Sequence, residues 1–227
     1  MLQDFRVFYT SYLTSYKKLV ILHTKDKFML PPILHHIEEA GYKVFTSGPY
    51  DLNLFGIRAP DSRANTFNDF MGCAYQNENM SWVVEYWEAT CDPGTYWLEN
   101  YNEDSVSGTA ILIPGQYRNV YKIDKHAGAY YALCQRAGTG SVWRDSNRDK
   151  RLNWSGDEHD GFYGINLHHA SYTGTSTQVN KWSAGCQVIA NIEHFNRMMA
   201  LAKLQQDHHP GWTTYTYTLL TAKEAGL

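Results

Sequence analysis

Between residues 81 and 135 the chain passes through five short segments of aromatic and β-branched residues separated by turn-formers, and this rhythm restricts the fold more than any other feature. Residues 81–87 (Ser-Trp-Val-Val-Glu-Tyr-Trp), 95–98, 108–113, 117–123 and 130–135 read as strands. Asp92-Pro93-Gly94, Pro114-Gly115 and His126-Ala127-Gly128 read as the turns between them. Aromatic and β-branched side chains fit a pleated, half-buried surface, and Pro-Gly pairs break it. A β-rich core follows.

The flanks carry helical patterning. Met29, Leu30, Ile33, Leu34 and Ile37 recur at helical spacing, Glu38-Glu39 form a polar edge and Gly41 is a terminator, which predicts a helix over residues 28–40. Residues 43–45 and 50–58 read as short strands before a Pro60-Asp61-Ser62 turn, whereas residues 1–27 show no clear period. Downstream, a polar loop spans residues 144–160. Asn191 is placed to cap a helix running to about Gln205 with Ile192, Phe195, Met199 and Ala202 on one face, and residues 213–220 form a late strand. No repeat or Gly/Ser/Pro-rich linker interrupts the chain. The expectation is an α+β, mostly β protein: a helical N-terminal extension over residues 1–60 packing on a β-rich main domain over residues 61–227 that ends in a flanking C-terminal helix.

A formal net charge of −3 gives no electrostatic case for nucleic acid as main partner, and no apolar run is long enough to cross a membrane. The first residues lack the charged and apolar regions of a secretory signal, so synthesis in a cytoplasm is expected. Oligomeric state stays open. Cys73, Cys91, Cys134 and Cys186 form no CxxC pair, which argues against a zinc knuckle or a disulfide scaffold. Three of them read as buried apolar residues.

Cys186 keeps different company. It closes Trp182-Ser183-Ala184-Gly185-Cys186-Gln187, downstream of Gly164-Ile165-Asn166-Leu167-His168-His169. Cysteine is the side chain most readily made nucleophilic near neutral pH, and histidine is its usual activator. His168 lies 18 positions before Cys186, so the two meet only if 165–168 is a strand and 171–181 a loop returning the chain beside it. Strand alternation sends His169 to the opposite face, making it the weaker base and leaving it a substrate contact. Gly185 lets the backbone approach a substrate and turn amide groups inward as oxyanion donors, while Ser183 supports the turn or binds substrate.

These residues resemble the catalytic domain of the L,D-transpeptidase (YkuD-type) family. The resemblance rests on Leu167 and His168 at a strand end, an intervening loop, then Ser183, Ala184, Gly185 and Cys186. Upstream, Thr90-Cys91-Asp92-Pro93-Gly94-Thr95-Tyr96 is similar to the family's Thr-Pro-x-Gly-x-Phe segment. Together the matches span roughly residues 80 to 205. Two positions depart: Ala184 stands where members often have His, and Val188 where Arg or Asn is common. The missing signal and residues 54–58 are also similar in context to cysteine proteins of bacteriophages and prophages.

The resemblance implies that Cys186 attacks an L,D-peptide bond of a peptidoglycan stem peptide, with His168 moving the proton. A thioester acyl-enzyme is then resolved by an amine or by water, and no cofactor or metal is involved. Phage lysis or carriage in a virion would bring a protein without a signal to the cell wall. Two other classes stay open: a non-catalytic wall-binding or virion structural protein, and a cysteine protease acting on proteins.

The remaining polar features read as structural. Asp145, Asn147 and Asp149 imitate the start of a calcium loop, but Lys150 stands at the required glycine and Gly156 at the bidentate glutamate, so a polar turn is expected. His126, flanked by Lys125 and Gly128, reads as a turn histidine, with a place lining a cleft as the alternative. The pairs His35-His36 and His208-His209 lack the spacing of a helical zinc site and read as solvated.

Overall fold

The computed structural model of the protein describes residues 20–23, 29–104 and 106–227. Most of the unpatterned start, residues 1–19 and 24–28, lies outside them, as does the expected helix start at Phe28. In chain order the elements are β1 (Val20–His23), α1 (Pro32–Glu39), β2 (Asn53–Arg58), β3 (Asp69–Gln76), β4 (Trp82–Thr90), α2 (Thr95–Glu99), β5 (Thr109–Leu112), β6 (Gly115–His126), β7 (Tyr130–Gln135), β8 (Gly140–Asp145), β9 (His159–Gly161), β10 (Leu167–His169), β11 (Gln187–Ile189), α3 (Ile192–His208) and β12 (Tyr215–Thr221). The protein is mostly β with a few helices, as its strand-and-turn rhythm requires.

Nine strands form one sheet in the order β1-β4-β11-β10-β7-β6-β12-β2-β3, and β3 returns to pair with β4, so that all but β1 close a ring. A smaller sheet, β5-β8-β9, stands apart from it. Period-2 alternation explains how the ring is filled. Leu54 on β2, Met71, Cys73 and Tyr75 on β3, and Val83, Trp87 and Ala89 on β4 join the main core with Phe195, Met198, Leu201 and Ala202 of α3. The intervening Phe55, Ile57, Val84 and Tyr86 face outward against Ile33, Leu34 and Ile37 of α1. Each of those three α1 side chains is fully buried, which contributes about 1.5–3 kcal/mol apiece. Opposite one another across these strands, α1 and α3 leave both faces of β2 buried along its whole length.

Asn191 caps α3 as expected, its side-chain oxygen accepting from the N–H groups of Glu193 and His194. Helix α1 starts at Pro32, after Met29 and Leu30 of the expected pattern, because a residue before proline is driven to extended backbone; Pro31 has ψ 149°. Residues 95–98, expected as a strand, form the short helix α2. Gly94 is its extended N-cap, and the Trp97 indole N–H donates to Lys181 O at 3.0 Å. Residues 43–45, expected as a strand, join no ladder: Gln116 bonds both the N–H and the carbonyl of Lys43, and Asn53 does the same for Phe45. The strand expected at residues 50–58 is shorter, and as β2 it lies inside the closed sheet, parallel to β12 and antiparallel to β3. The last part of the expected N-terminal extension is thus an interior strand, fixed by pairing with a segment some 160 residues away.

Candidate active site

Strands β10 and β11 run parallel with Leu167 opposite Gln187 and His168 opposite Val188. This register places Cys186, just before β11, opposite Asn166. Residues two apart on a strand share a face, so Cys186, Asn166 and His168 project to one side, with the thiol one pleat behind the imidazole. The 171–181 loop returns the chain as the sequence requires, held by the Trp182 N–H to Val179 O bond at 2.8 Å.

The turn before the thiol is braced from several sides. Ser183, wholly buried, donates through its hydroxyl to Cys186 O at 2.7 Å and accepts from the Gly185 N–H at 3.1 Å. Gly185 has φ +123°, and a Cβ there would lie 2.5 Å from Ala110 O on β5, so both backbone conformation and space demand glycine. Buried Gln187 donates to Cys91 O and Gly185 O and accepts from the Tyr217 hydroxyl. The Gly94 N–H donates to Ser183 O at 2.9 Å. The Pro93-Gly94 segment therefore docks directly on the Ser183–Cys186 turn, and the two segments singled out in the sequence are neighbours in space.

Beneath this junction lies a buried charge. Arg58 at the end of β2 donates to Asp92 at 3.1 Å and to the carbonyls of Cys91 and Leu112. Asp69 accepts from the N–H groups of Ala59 and Cys91, and burial followed by the neighbouring Asp92 pushes it up to about 7.

The Cys186 thiol is partly exposed and un-ionised. It donates to Gly164 O and accepts from the Asn166 N–H, both at 3.4 Å, and burial pushes it up to about 11 against the lowering effect of that N–H. Among the described residues the N–H of Cys186 has no hydrogen-bond partner, while that of Gly185 is engaged by Ser183.

His168 is buried and neutral. Burial, then the adjacent His126, hold it down to about 3. Its Nδ1 lies 2.8 Å from His169 O, an atom that can only accept, so Nδ1 carries the proton and Nε2 the lone pair. That Nε2 is buried with no hydrogen-bond partner, and no hydrogen bond joins it to the thiol. The Tyr130 hydroxyl sits 3.2 Å from His168 Nδ1.

Three polar neighbours join the thiol and His168, and of these the sequence offered only His126, as a cleft residue second to a turn. His126, expected in a turn, ends β6 and stacks on His168 with ring centroids 4.1 Å apart. Asn166 bridges it: its carbonyl accepts the Gln135 N–H at 2.9 Å, which leaves its amide nitrogen facing His126 Nδ1 at 2.9 Å. His126 Nδ1 is thereby an acceptor, and burial, then nearby His169 and Arg136, lower its basicity further. The third is Tyr130. Asn166 carried a legible signal, since it lies two residues before His168, immediately ahead of β10. Tyr130 had none, and nothing in the sequence tied His126 to His168, because only the β6–β7 hairpin and its pairing with β10 bring them near.

His169 faces the other side, as alternation predicts. Its ring packs on Tyr130, Phe195 and Tyr172 at 4.1, 4.8 and 4.9 Å, away from the thiol, so the substrate contact expected of it has an aromatic packing role in its place. Val188 joins Phe67, Ala170, Val179 and Ala190 in an apolar cluster against Cys186. Beside the turn lies an open groove of about 690 Å³ lined by Thr95, Tyr96, Glu99, Asn180, Lys181 and Trp182, with the Lys181 ammonium 4.2 Å over the Tyr96 ring.

Among the described residues no three or more His, Cys, Asp or Glu side chains are grouped as metal ligands, and no helix is long and apolar enough to cross a membrane. No protein-family model matches the chain, and no curated protein is significantly similar to it.

Proposed function

We propose that the protein is a peptidoglycan-modifying cysteine enzyme of L,D-transpeptidase type, acting on stem peptides of the cell wall. The observation that carries the reading is a thiol on a braced Ser-x-Gly-Cys turn sharing a sheet face with a neutral histidine. The Nδ1–H of that histidine is tied to a backbone carbonyl, and its Nε2 lone pair has no other partner. The contact between the Pro93-Gly94 segment and that turn supports it further.

In this reading the stem peptide lies along the groove at Tyr96 and Trp182 with its scissile carbonyl over Cys186. His168 Nε2 takes the thiol proton as sulfur attacks the carbonyl carbon. The N–H of Cys186 is the turn's available donor for the oxyanion. His168 returns the proton to the departing amine, leaving a thioester. An amine then attacks to form a cross-link, or water attacks to give carboxypeptidase or endopeptidase action. Ser183 and Gly185 shape the turn and hold the thiol in place. Neutral partners at rest suit an enzyme whose catalytic hydrogen bond closes only when substrate displaces water.

A second reading, a non-catalytic wall-binding or virion structural protein, is favoured by the missing thiol–imidazole bond and the apolar Val188. Incubation with purified sacculi and mass spectrometry of the muropeptides separates the two. New cross-links or cleaved stems with wild type and none with Cys186→Ala are expected of the enzyme. An unchanged profile with sacculus binding retained in both proteins belongs to the second reading.

A further inference from the structure

Strand β7 lies between β6 and β10 in the sheet, yet His126 at the end of β6 reaches across it to His168 on β10. Asp124 pairs with Ala132 on β7, and residues two apart on β6 share a face, so the side chain that His126 passes over is a single methyl group. The two imidazoles lie 4.1 Å apart and 23° from parallel, so His126 covers one face of the His168 ring. Its own orientation is fixed. The Gln135 N–H holds the Asn166 carbonyl, the Asn166 amide donates to His126 Nδ1 at 2.9 Å, and the Ala129 N–H donates to His126 O at 2.9 Å. The backbone N–H of the same Asn166 donates to the Cys186 thiol. The thiol and His168, which share no hydrogen bond among the described residues, are therefore joined through Asn166 and His126.

We propose that His126 is a positioning residue for the thiol chemistry: anchored by Asn166, it clamps the His168 imidazole in one plane and keeps its Nε2 lone pair dry for the Cys186 proton. The role rests on the proposed cysteine activity. The torsion that turns an imidazole is broad, and a bond at Nδ1 alone lets the ring tilt; a ring stacked on its face removes that freedom. Asp124, two residues before His126, is taken by Arg136 at 2.7 Å, so a carbonyl and a stacked ring, not a carboxylate, orient the base. A reacting atom misplaced by about 1 Å loses on the order of 100-fold in rate, which is the scale on which a tilted His168 shows.

The test compares full-length wild type with His126→Ala, His126→Gln and His126→Phe. Glutamine keeps an acceptor for Asn166 without a ring, and phenylalanine keeps a flat ring over His168 without the acceptor. Acylation by a carbapenem, a strained cyclic amide, is followed by intact mass over a range of concentrations, which separates the maximal rate from the half-saturating concentration. Nitrogen NMR follows the His168 ring against pH with no carbapenem present. Both ringless variants should lose about tenfold or more in maximal rate with half-saturation within about twofold of wild type. Their uncovered His168 should begin to titrate between about pH 5 and 6.5, where the wild-type ring stays neutral. His126→Phe should recover most of the rate and the wild-type titration. An unchanged maximal rate in the ringless variants overturns the proposal, and so does weaker half-saturation alone, which would make His126 a substrate contact. A phenylalanine variant as slow as the ringless ones overturns it equally. If wild type forms no adduct, the proposed activity falls and NMR decides the clamp: a His168 titration unchanged in the ringless variants overturns it, and one moved upward in them but not in His126→Phe upholds it.

Discussion

The resting state of Cys186 has a measurable consequence. A thiol pushed up to about 11 is ionised to roughly one part in ten thousand at pH 7, about 300-fold less than a free cysteine near 8.5. Alkylation of Cys186 by iodoacetamide, read by peptide mapping to separate it from the buried Cys73, Cys91 and Cys134, should therefore be slow at pH 7. Its rate should climb about tenfold per pH unit up to pH 10 with no plateau, because only the thiolate reacts. His168 is neutral throughout this range and makes no hydrogen bond to sulfur, so His168→Ala should leave the profile within about twofold of wild type. A plateau between pH 5 and 8 that disappears in His168→Ala would mean a preformed thiolate–imidazolium pair and would refute this description of the site.

Burial of neutral His168 also ties stability to pH. Its folded-state basicity lies below that of the unfolded chain, so the unfolded state binds the extra proton and stability is lost as pH falls from about 6.5 towards 3. Between pH 7 and 5 this one group contributes about 2 kcal/mol to the loss, and urea denaturation of His168→Gln should show a fall smaller by that amount; an equal fall in both proteins would contradict it. Glu85 has no exposure and accepts from Tyr75 at 2.9 Å and from Arg197 at 2.7–3.1 Å, so Arg197→Met, which strands the carboxylate, should cost roughly 3–5 kcal/mol by chemical denaturation. Gly185→Ala meets both a positive φ and the Ala110 carbonyl, and should lose roughly 1–3 kcal/mol together with its reaction at Cys186. A stable, fully active Gly185→Ala would show that the turn tolerates displacement.

Local signals carried the elements whose structure is decided locally. Strand β7 has the bounds its alternation implies, and Asn191 starts α3 through its own side chain. What sequence did not show was decided by distant partners. β3 contains Gly72, Cys73 and Ala74, poor strand formers, yet it pairs along its length with both β2 and β4; a Cβ at Gly72 would run into the Phe55 ring. Conversely, the aromatic residues of Thr95–Glu99 favour a strand by propensity, but the Gly94 cap and the Trp97–Lys181 bond make a helix there. At the site, the Cys186–His168 relationship was legible because a strand, a loop and a second strand follow one another in sequence. The stacked His126 was not, because its neighbours come from pairing between β6, β7 and β10.

The central claim is that Cys186 forms a thioester with an activated acyl group under the control of His168. It is tested most directly by the intact mass of the protein after exposure to a carbapenem, whose strained amide acylates a competent thiol nucleophile, followed by peptide mapping. One adduct per chain, located on Cys186, absent in Cys186→Ala and formed far more slowly in His168→Ala, is the predicted result. No adduct on the folded wild type, or one that forms equally fast without His168, would contradict it.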